Sequence, residues 1–169
     1  MRGRMLYKII REGNYTSFPG LFGYFFRNCN TLPLASSVSV MKEFSKAITK
    51  LLDRGEKILI YPEQAMWWNY RKPRPLKLGV FKFAVKNGVP VLPCFITMRD
   101  TDVLGEDLRR SISDFDIAEN FVPDGFYIQE YTIHICPPIY PEDGLNYRKN
   151  MMKMMDKNYE VWKEIYERV

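Results

Sequence analysis

Residues 57–88 read KILIYPEQAMWWNYRKPRPLKLGVFKFAVKNG. They open with an apolar run, residues 58–60, that is typical of a strand buried on both sides in a parallel sheet. They close with residues 78–87, whose pattern predicts a helix that ends at a glycine. Residues 61–77 are therefore predicted to be a loop that leaves the end of a strand and enters a helix. In α/β sheets, sites are usually built at such loops.

The segments around this loop predict an α/β domain. Apolar residues at spacings of three and four between residues 40 and 52 indicate an amphipathic helix, with Ser36 or Ser37 as its N-cap. Residues 89–96 predict the next strand, irregularly paired because of its two prolines. Strand, loop with helix, and strand form a βαβ unit, for which a right-handed crossover is expected. Residues 127–136 then alternate like a strand, and residues 146–169 predict a terminal helix.

Four further segments complete the predicted domain. Residues 31–34 fit a short edge strand, because their proline is tolerated only at an edge or a strand start. Residues 1–12 are predicted to place their apolar side chains on one helical face. Residues 17–27 are aromatic and nearly uncharged, and they fit a core segment, an interfacial patch or the floor of an acyl groove. Residues 99–125 are interpreted as an acidic surface insertion.

Two of the predicted helices carry their apolar side chains on one face. For residues 1–12 they are Met5, Leu6, Ile9 and Ile10, and for the terminal helix they are Met152, Met155, Tyr159, Trp162 and Tyr166, interpreted as core packing. We expect one domain over residues 1–169, an α/β fold with a mixed, mostly parallel sheet flanked by helices.

The composition narrows the classes of partner. The chain has 169 residues, 46% of them hydrophobic, with a formal net charge of +5. A basic surface can meet phospholipid, nucleotide or nucleic acid, but no nucleic-acid recognition motif is present, so no nucleic-acid partner is predicted. The three cysteines form no C-x-x-C pair, so neither a metal site nor a disulfide is predicted. No apolar run reaches the roughly 18 residues of a membrane-spanning helix, which leaves contact with a membrane surface.

The loop combines cations with large apolar rings. Arginine grips phosphate through two parallel hydrogen bonds, and a helix N-terminus adds partial positive charge. The predicted substrate-binding residues of the loop are Glu63, Arg71, Lys72, Arg74 and Lys77. The residues predicted to contact an acyl chain or the membrane are Phe22, Phe25, Phe26, Trp67 and Trp68. The alternatives are a turn carboxylate at Glu63 and a solvated basic loop.

No nucleophile or general base is evident in the chain. His134 is the single histidine and lies between two isoleucines of a predicted strand, where a structural role is the simplest interpretation. The sequence has no G-x-S-x-G elbow, no Walker loop and no G-x-G-x-x-G. No catalytic residue is therefore assigned.

Several blocks in order resemble one family. Tyr61, Pro62 and Glu63 stand where glycerophosphate and lysophospholipid acyltransferases have the F-P-E of F-P-E-G-T-R. Lys77 and Gly79 match the K-x-G at the start of the helix that follows, and Pro90 and Pro93 match the prolines of V-P-I-x-P. The resemblance covers residues 15–96.

The chain departs from the family pattern at three places. Gln64-Ala65-Met66 replaces Gly-Thr-Arg, and no second-block arginine stands near Ala35 or Ser36. We expect Arg71, Lys72 and Arg74 to take over phosphate binding. The H-x-x-x-x-D block, whose histidine is the family's general base, is also missing. The chain is therefore expected to be the C-terminal portion of a longer acyltransferase, or else a non-catalytic module that binds lipid phosphate or a membrane surface.

The resemblance also implies substrates and a location. The implied reaction transfers an acyl group to a hydroxyl of a glycerophosphate or lysophospholipid in phospholipid biosynthesis. Acyl-CoA or acyl carrier protein is the implied co-substrate, with no cofactor or metal. The implied partners are the glycerophospholipid acceptor, the acyl donor and a membrane surface, with the protein cytoplasmic and peripheral on the inner face of the membrane.

Overall fold

The computed structural model describes residues 4–34, 37–64, 71–104 and 127–169. Within these ranges the chain forms five strands and five helices. In chain order they are β1 (Leu6–Arg11), α1 (Glu12–Thr16), α2 (Gly20–Asn28), β2 (Thr31–Leu34), α3 (Val38–Asp53), β3 (Lys57–Leu59), α4 (Gly79–Asn87), β4 (Cys94–Leu104), β5 (Tyr127–Ile135) and α5 (Tyr147–Arg168).

Three strands form a parallel sheet in the order β2-β1-β3. β1 is the central strand, and its Lys8 is in register with Thr31 of β2 and with Leu59 of β3. Helices flank this sheet, and β4 and β5 form a separate antiparallel pair. The predicted α/β class, with a mostly parallel sheet and flanking helices, is confirmed.

The helical face predicted for residues 1–12 is wrong, because residues 6–11 are a strand. Apolar residues four apart, such as Leu6 and Ile10, share a face in a strand as well as in a helix. Ile9 faces the other side, where it packs against Phe44 and Ile48 of α3. A central strand needs apolar residues on both faces, and that requirement produced the pattern that resembles a helix.

Helix α3 supplies the core on one face of the parallel sheet. Its N-cap is Ser37, whose side chain accepts a hydrogen bond from the Val40 N–H, so the second of the two predicted caps is the one used. Phe44 and Ile48 are buried against Leu32 and Leu34 of β2 and Ile58 of β3. The predicted amphipathic helix is therefore confirmed.

β2 is an edge strand, as its proline predicted. The Lys8 N–H donates to the carbonyl of Asn30, 2.9 Å away. In a parallel pair, alternate residues of each strand bond to the neighbour, so Leu32 and Leu34 direct their N–H groups toward β1. Pro33, which has no N–H, directs its nitrogen away from the sheet.

The expected crossover from β3 to β4 is wrong, since β4 pairs antiparallel with β5 and not in the parallel sheet. Val91 makes an isolated antiparallel bridge with Ile139, and the ladder begins only at Cys94. Pro90 and Pro93 lack N–H groups and interrupt the pairing, which confirms the predicted irregularity. The part of the acidic insertion beyond Leu104 lies outside the described residues, and residues 99–104 belong to β4.

Helix α5 packs on α4 and the β4–β5 pair, and the predicted stripe contributes only part of this contact, through Trp162 and Met155. Its buried residues are four apart and are Asn150, Met154, Asn158 and Trp162. Met154 joins Phe81, Ala84 and Ile139 in the second hydrophobic core. Of the predicted stripe Trp162 is buried, Met155, Tyr159 and Tyr166 are half-buried, and Met152 is exposed. Asn150 replaces an apolar residue because its side chain bonds both backbone groups of Glu142.

The exposure of the side chains in and before α2 tests whether residues 17–27 are a core segment. The core alternative is wrong for most of the segment, because Phe18, Leu21, Phe22, Tyr24 and Phe25 are all exposed. Only Gly23 of this helix is buried. Within the described ranges, no helix is both long enough and apolar enough to cross a membrane.

Candidate functional site

The three parallel strands end at one edge of their sheet. That edge carries Arg11 at the end of β1, Leu34 at the end of β2 and residues 60–64 after β3. Ligands of α/β sheets bind outside the carboxyl ends of the strands, where the following loops can surround them. The predicted loop, residues 61–77, therefore leaves the sheet at its functional edge.

Two hydrogen bonds fold the second half of the loop back onto its first half. The carbonyl oxygen of Pro62 accepts from the Lys77 N–H at 2.9 Å. The Glu63 Oε1 atom accepts from the Arg74 N–H, also at 2.9 Å. Gln64 turns the chain between them with a positive φ of 57°, and its N–H donates to the Tyr61 carbonyl at 3.3 Å. Residues 71–77 are thus held beside the end of β3.

This folding gathers the predicted cations at the edge. Arg71 and Arg74 are partly buried, whereas Lys72 and Lys77 are exposed. Lys77 lies two residues before Gly79, the first residue of α4, and the N-cap Leu78 makes no side-chain cap hydrogen bond. Cationic side chains beside the N–H groups of a helix start can hold a phosphate dianion.

Glu63 was predicted to bind substrate, and the contact that the structure shows is with the protein backbone. Its carboxylate is partly buried and bonds the N–H of Arg74, eleven residues further along the chain. A carboxylate that accepts a backbone N–H fixes the path of the loop. In this arrangement Glu63 positions the arginine.

Arg11 is a candidate that sequence reasoning did not select. The register of β1 and β3 pairs Lys8 with Leu59, and continued along both chains it sets Arg11 level with Pro62. The arginine is exposed at the end of the central strand. The signal was the cation after an apolar run, and the assignment of that run to a helix concealed it.

The predicted apolar contacts are only partly visible. Phe22 and Phe25 are exposed on α2, while Phe26 is half-buried with its ring centroid 5.2 Å from that of Phe18. Trp67 and Trp68 lie outside the described residues, as do Ala35 and Ser36, near which the family has its second-block arginine.

His134 is not part of the parallel sheet. It is on β5, opposite Phe95 of β4, and its Nε2 atom is 2.8 Å from the Thr97 Oγ1 atom. The hydrogen bond satisfies the ring within the β4–β5 pair. This geometry agrees with the structural role predicted for the histidine.

The buried thiol of Cys136 is not poised to act as a nucleophile. Burial raises the pKa of the Cys136 thiol, and the neighbouring Cys94 raises it further, so the nucleophilic thiolate is disfavoured at Cys136. All three cysteines have free thiols. Among the described residues, no three His, Cys, Asp or Glu side chains are grouped to hold a metal ion.

Comparison with known proteins gives one match. A family model described as Acyltransferase matches residues 2–97, more than half of the chain. Those residues include β1, the parallel sheet, the loop of residues 61–77 and α4. A search of curated proteins and a search of solved structures each found no match.

Proposed function

Because the chain belongs to the acyltransferase family, we propose that residues 61–77 bind the phosphate of the acyl acceptor. The acceptor is a glycerophosphate or a lysophospholipid, and the acyl donor is acyl-CoA or acyl carrier protein. The reaction forms an ester at an acceptor hydroxyl and releases the donor thiol, as a step of phospholipid biosynthesis. The protein works at the inner face of the membrane, where such acceptors lie.

The observation that carries this proposal is the pair of hydrogen bonds that close the loop. They hold Arg74 and Lys77 beside the end of β3, at the edge where the sheet opens to a ligand. Two arginines and two lysines in one short segment favour a dianion over a neutral alcohol. A lysophospholipid adds an acyl tail, for which an apolar surface is needed.

The loop binds and orients the acceptor, and a general base has to remove the hydroxyl proton. Within the described residues, the carboxyl edge presents no histidine, since His134 is bonded to Thr97 on the β4–β5 pair. General-base assistance is commonly worth roughly 10²–10⁴ in rate. We therefore expect acceptor binding from these 169 residues, with acyl transfer slow or undetectable.

The direct test is equilibrium binding of glycerol 3-phosphate by calorimetry, with glycerol as the ligand that lacks the phosphate. The double variant R71A/R74A removes both guanidinium groups but keeps the Arg74 N–H that Glu63 holds. Each charge-assisted hydrogen bond contributes about 1.5–3 kcal/mol, so we expect affinity to fall about tenfold or more.

The matched control is K163A/R168A, which also removes two cations. Both residues lie on exposed turns of α5, in ion pairs with Glu167 and Glu164. Exposed pairs of this kind are worth little, so binding should stay within about twofold. Equal losses in the two double variants would show that overall charge is responsible, and the loop would lose its assigned role.

A second candidate function is a module that binds lipid phosphate without catalysis. The exposed aromatic residues of α2 favour it. The two functions separate when acyl transfer to lysophosphatidate is measured with any in-frame upstream sequence restored. Transfer that R71A/R74A weakens supports the enzyme, whereas acceptor binding without transfer supports the module.

A further inference from the structure

Helix α2 exposes a continuous apolar surface. At 100° per residue, Leu21, Phe22 and Phe25 share one arc of the helix, with Gly23 on the far side. Their exposed fractions are 68%, 72% and 50%. Three large apolar side chains exposed together on one short helix form a patch of the kind that marks an interaction site.

Helix α2 is attached to β2, where the Thr31 hydroxyl donates to the Phe26 carbonyl, and Gly23 is its buried residue. A methyl group at this position would overlap the Phe18 carbonyl oxygen, and it would also contact the Arg27 guanidinium at 2.8 and 2.9 Å. The Asn28 side chain donates back to the Tyr24 carbonyl at 2.8 Å. The helix therefore has a defined orientation, and its apolar arc faces outward.

Among the described residues, the arc of α2 lacks the cover that an acyl groove would give its lining. A site that holds a single chain is concave and buries most of its ligand, so its lining residues are largely covered even when it is empty. The arc of α2 is instead more than half exposed at its two most prominent residues. Such an exposed surface suits a broad apolar partner.

The charge of the segment that contains the helix favours a partner of one kind. Residues 4–34 contain four cations, Arg4, Lys8, Arg11 and Arg27, against the single carboxylate of Glu12, a net charge of +3. Exposed aromatic side chains in a segment of net positive charge are a combination that binds the interface of an anionic bilayer. We propose that α2 docks the protein on an anionic membrane, with Leu21, Phe22 and Phe25 inserted among the acyl chains.

This orientation has a consequence for the loop of residues 61–77. The first turn of α2 follows the end of β1 by nine residues, through α1, so it starts near the carboxyl edge of the sheet. A lipid acceptor would then reach the cations without leaving the bilayer interface. The docking rests on the exposure and charge of residues 4–34, and it does not depend on the acceptor chemistry.

The test is flotation with large vesicles that contain neither acyl donor nor lysophospholipid. The compositions are phosphatidylcholine alone and phosphatidylcholine with phosphatidylglycerol. L21Q/F22Q should lower the partition onto the mixed vesicles by about tenfold or more, because burial of one large apolar side chain contributes about 1.5–3 kcal/mol. The wild-type protein should prefer the anionic vesicles.

The matched control is I133Q/I135Q on β5. Ile133 and Ile135 are 63% and 69% exposed, so this variant removes two apolar side chains of similar exposure at another surface. Its partition should remain within about twofold of the wild type. An equal loss in both variants, or no loss in L21Q/F22Q, would overturn the proposal.

Insertion itself is measured by fluorescence quenching with brominated lipid. Tryptophan at position 22 (F22W) should be quenched more strongly than tryptophan at position 133 (I133W), against the same background of three native tryptophans. Equal quenching would contradict insertion. If L21Q/F22Q abolished self-association and left vesicle binding intact, the arc would bind a second copy of the chain instead. Because no acceptor is present, neither result affects the test of phosphate binding.

Discussion

A single carboxylate oxygen of Glu63 links the first part of the loop of residues 61–77 to its second part. That oxygen accepts the N–H of Arg74, so the arginine backbone is held even when its side chain is removed. The variants E63A and R74A therefore separate two effects. The first releases the backbone and keeps the guanidinium, and the second does the reverse.

We expect E63A to lower the free energy of unfolding by about 1–2 kcal/mol, the value of a hydrogen bond to a charged acceptor at a partly exposed site. Glycerol 3-phosphate should also bind more weakly, because the loop no longer holds Arg74 in place. Urea denaturation and calorimetry measure the two effects. E63Q keeps an oxygen that can accept the bond, so it should recover most of both, and failure to recover would indicate that Glu63 acts through its charge.

The Cys136 thiol makes the free energy of unfolding depend on pH in the alkaline range. Burial raises the pKa of its thiol, with a further contribution from Cys94, so the folded protein keeps the proton at a pH where the unfolded chain loses it. Stability from this group is complete below the unfolded thiol pKa of about 8.5 and is lost as pH rises through the higher folded value.

The variant C136A should therefore show a shallower fall in unfolding free energy between about pH 8 and about pH 10 than the wild type. The measurement is urea denaturation at several pH values under reducing conditions. C29A is the control, since Cys29 is exposed and its removal should leave the slope unchanged. Parallel slopes for C136A and the wild type would contradict the raised pKa.

At the scale of elements, α3 stabilises the parallel sheet through one face. Ile48 is 1% exposed and packs against residues of all three strands. I48A should destabilise the protein by about 3 kcal/mol, because it loses buried apolar surface and leaves a cavity. V40A, on an exposed turn of the same helix, should cost less than about 0.5 kcal/mol in the same denaturation series. A small loss in I48A would mean that the helix repacks.

Some helices and strands could be predicted from their local sequence, and others could not. α3 and α4 were predictable because one face of each is apolar and a serine or a glycine marks an end. β1 was not, since its apolar residues serve two faces of a central strand and match a helical period equally well. The pairing of β4 was also beyond local sequence, because the choice between β3 and β5 as partner is made by tertiary packing.

At the scale of the whole molecule, the parallel sheet and the β4–β5 pair contribute different things. The parallel sheet carries the loop of residues 61–77, and the β4–β5 pair carries His134. We expect H134Q to leave glycerol 3-phosphate binding, and any acyl transfer, within about twofold of the wild type, since a general base would be worth far more. A hundredfold loss of transfer with unchanged binding would instead identify His134 as the base.

The candidate site was predictable in its residues and less so in its geometry. The cations between residues 71 and 77 were evident from sequence, because charge and proline are dense there. The backbone bond from Arg74 to Glu63 was not, since it joins residues eleven positions apart through a turn at Gln64. The place of Arg11 beside the same edge required the sheet order, which no local pattern contains.

The proline of β2 has a consequence for how the molecules behave toward one another in a concentrated solution. A strand at the rim of a sheet is a template on which a second chain can add, the first step toward fibrils. The nitrogen of Pro33 faces outward and has no hydrogen. A second strand that pairs with this four-residue edge therefore loses one backbone hydrogen bond. Pro33 therefore disfavours the addition of a strand from another molecule to the β2 edge of the parallel sheet.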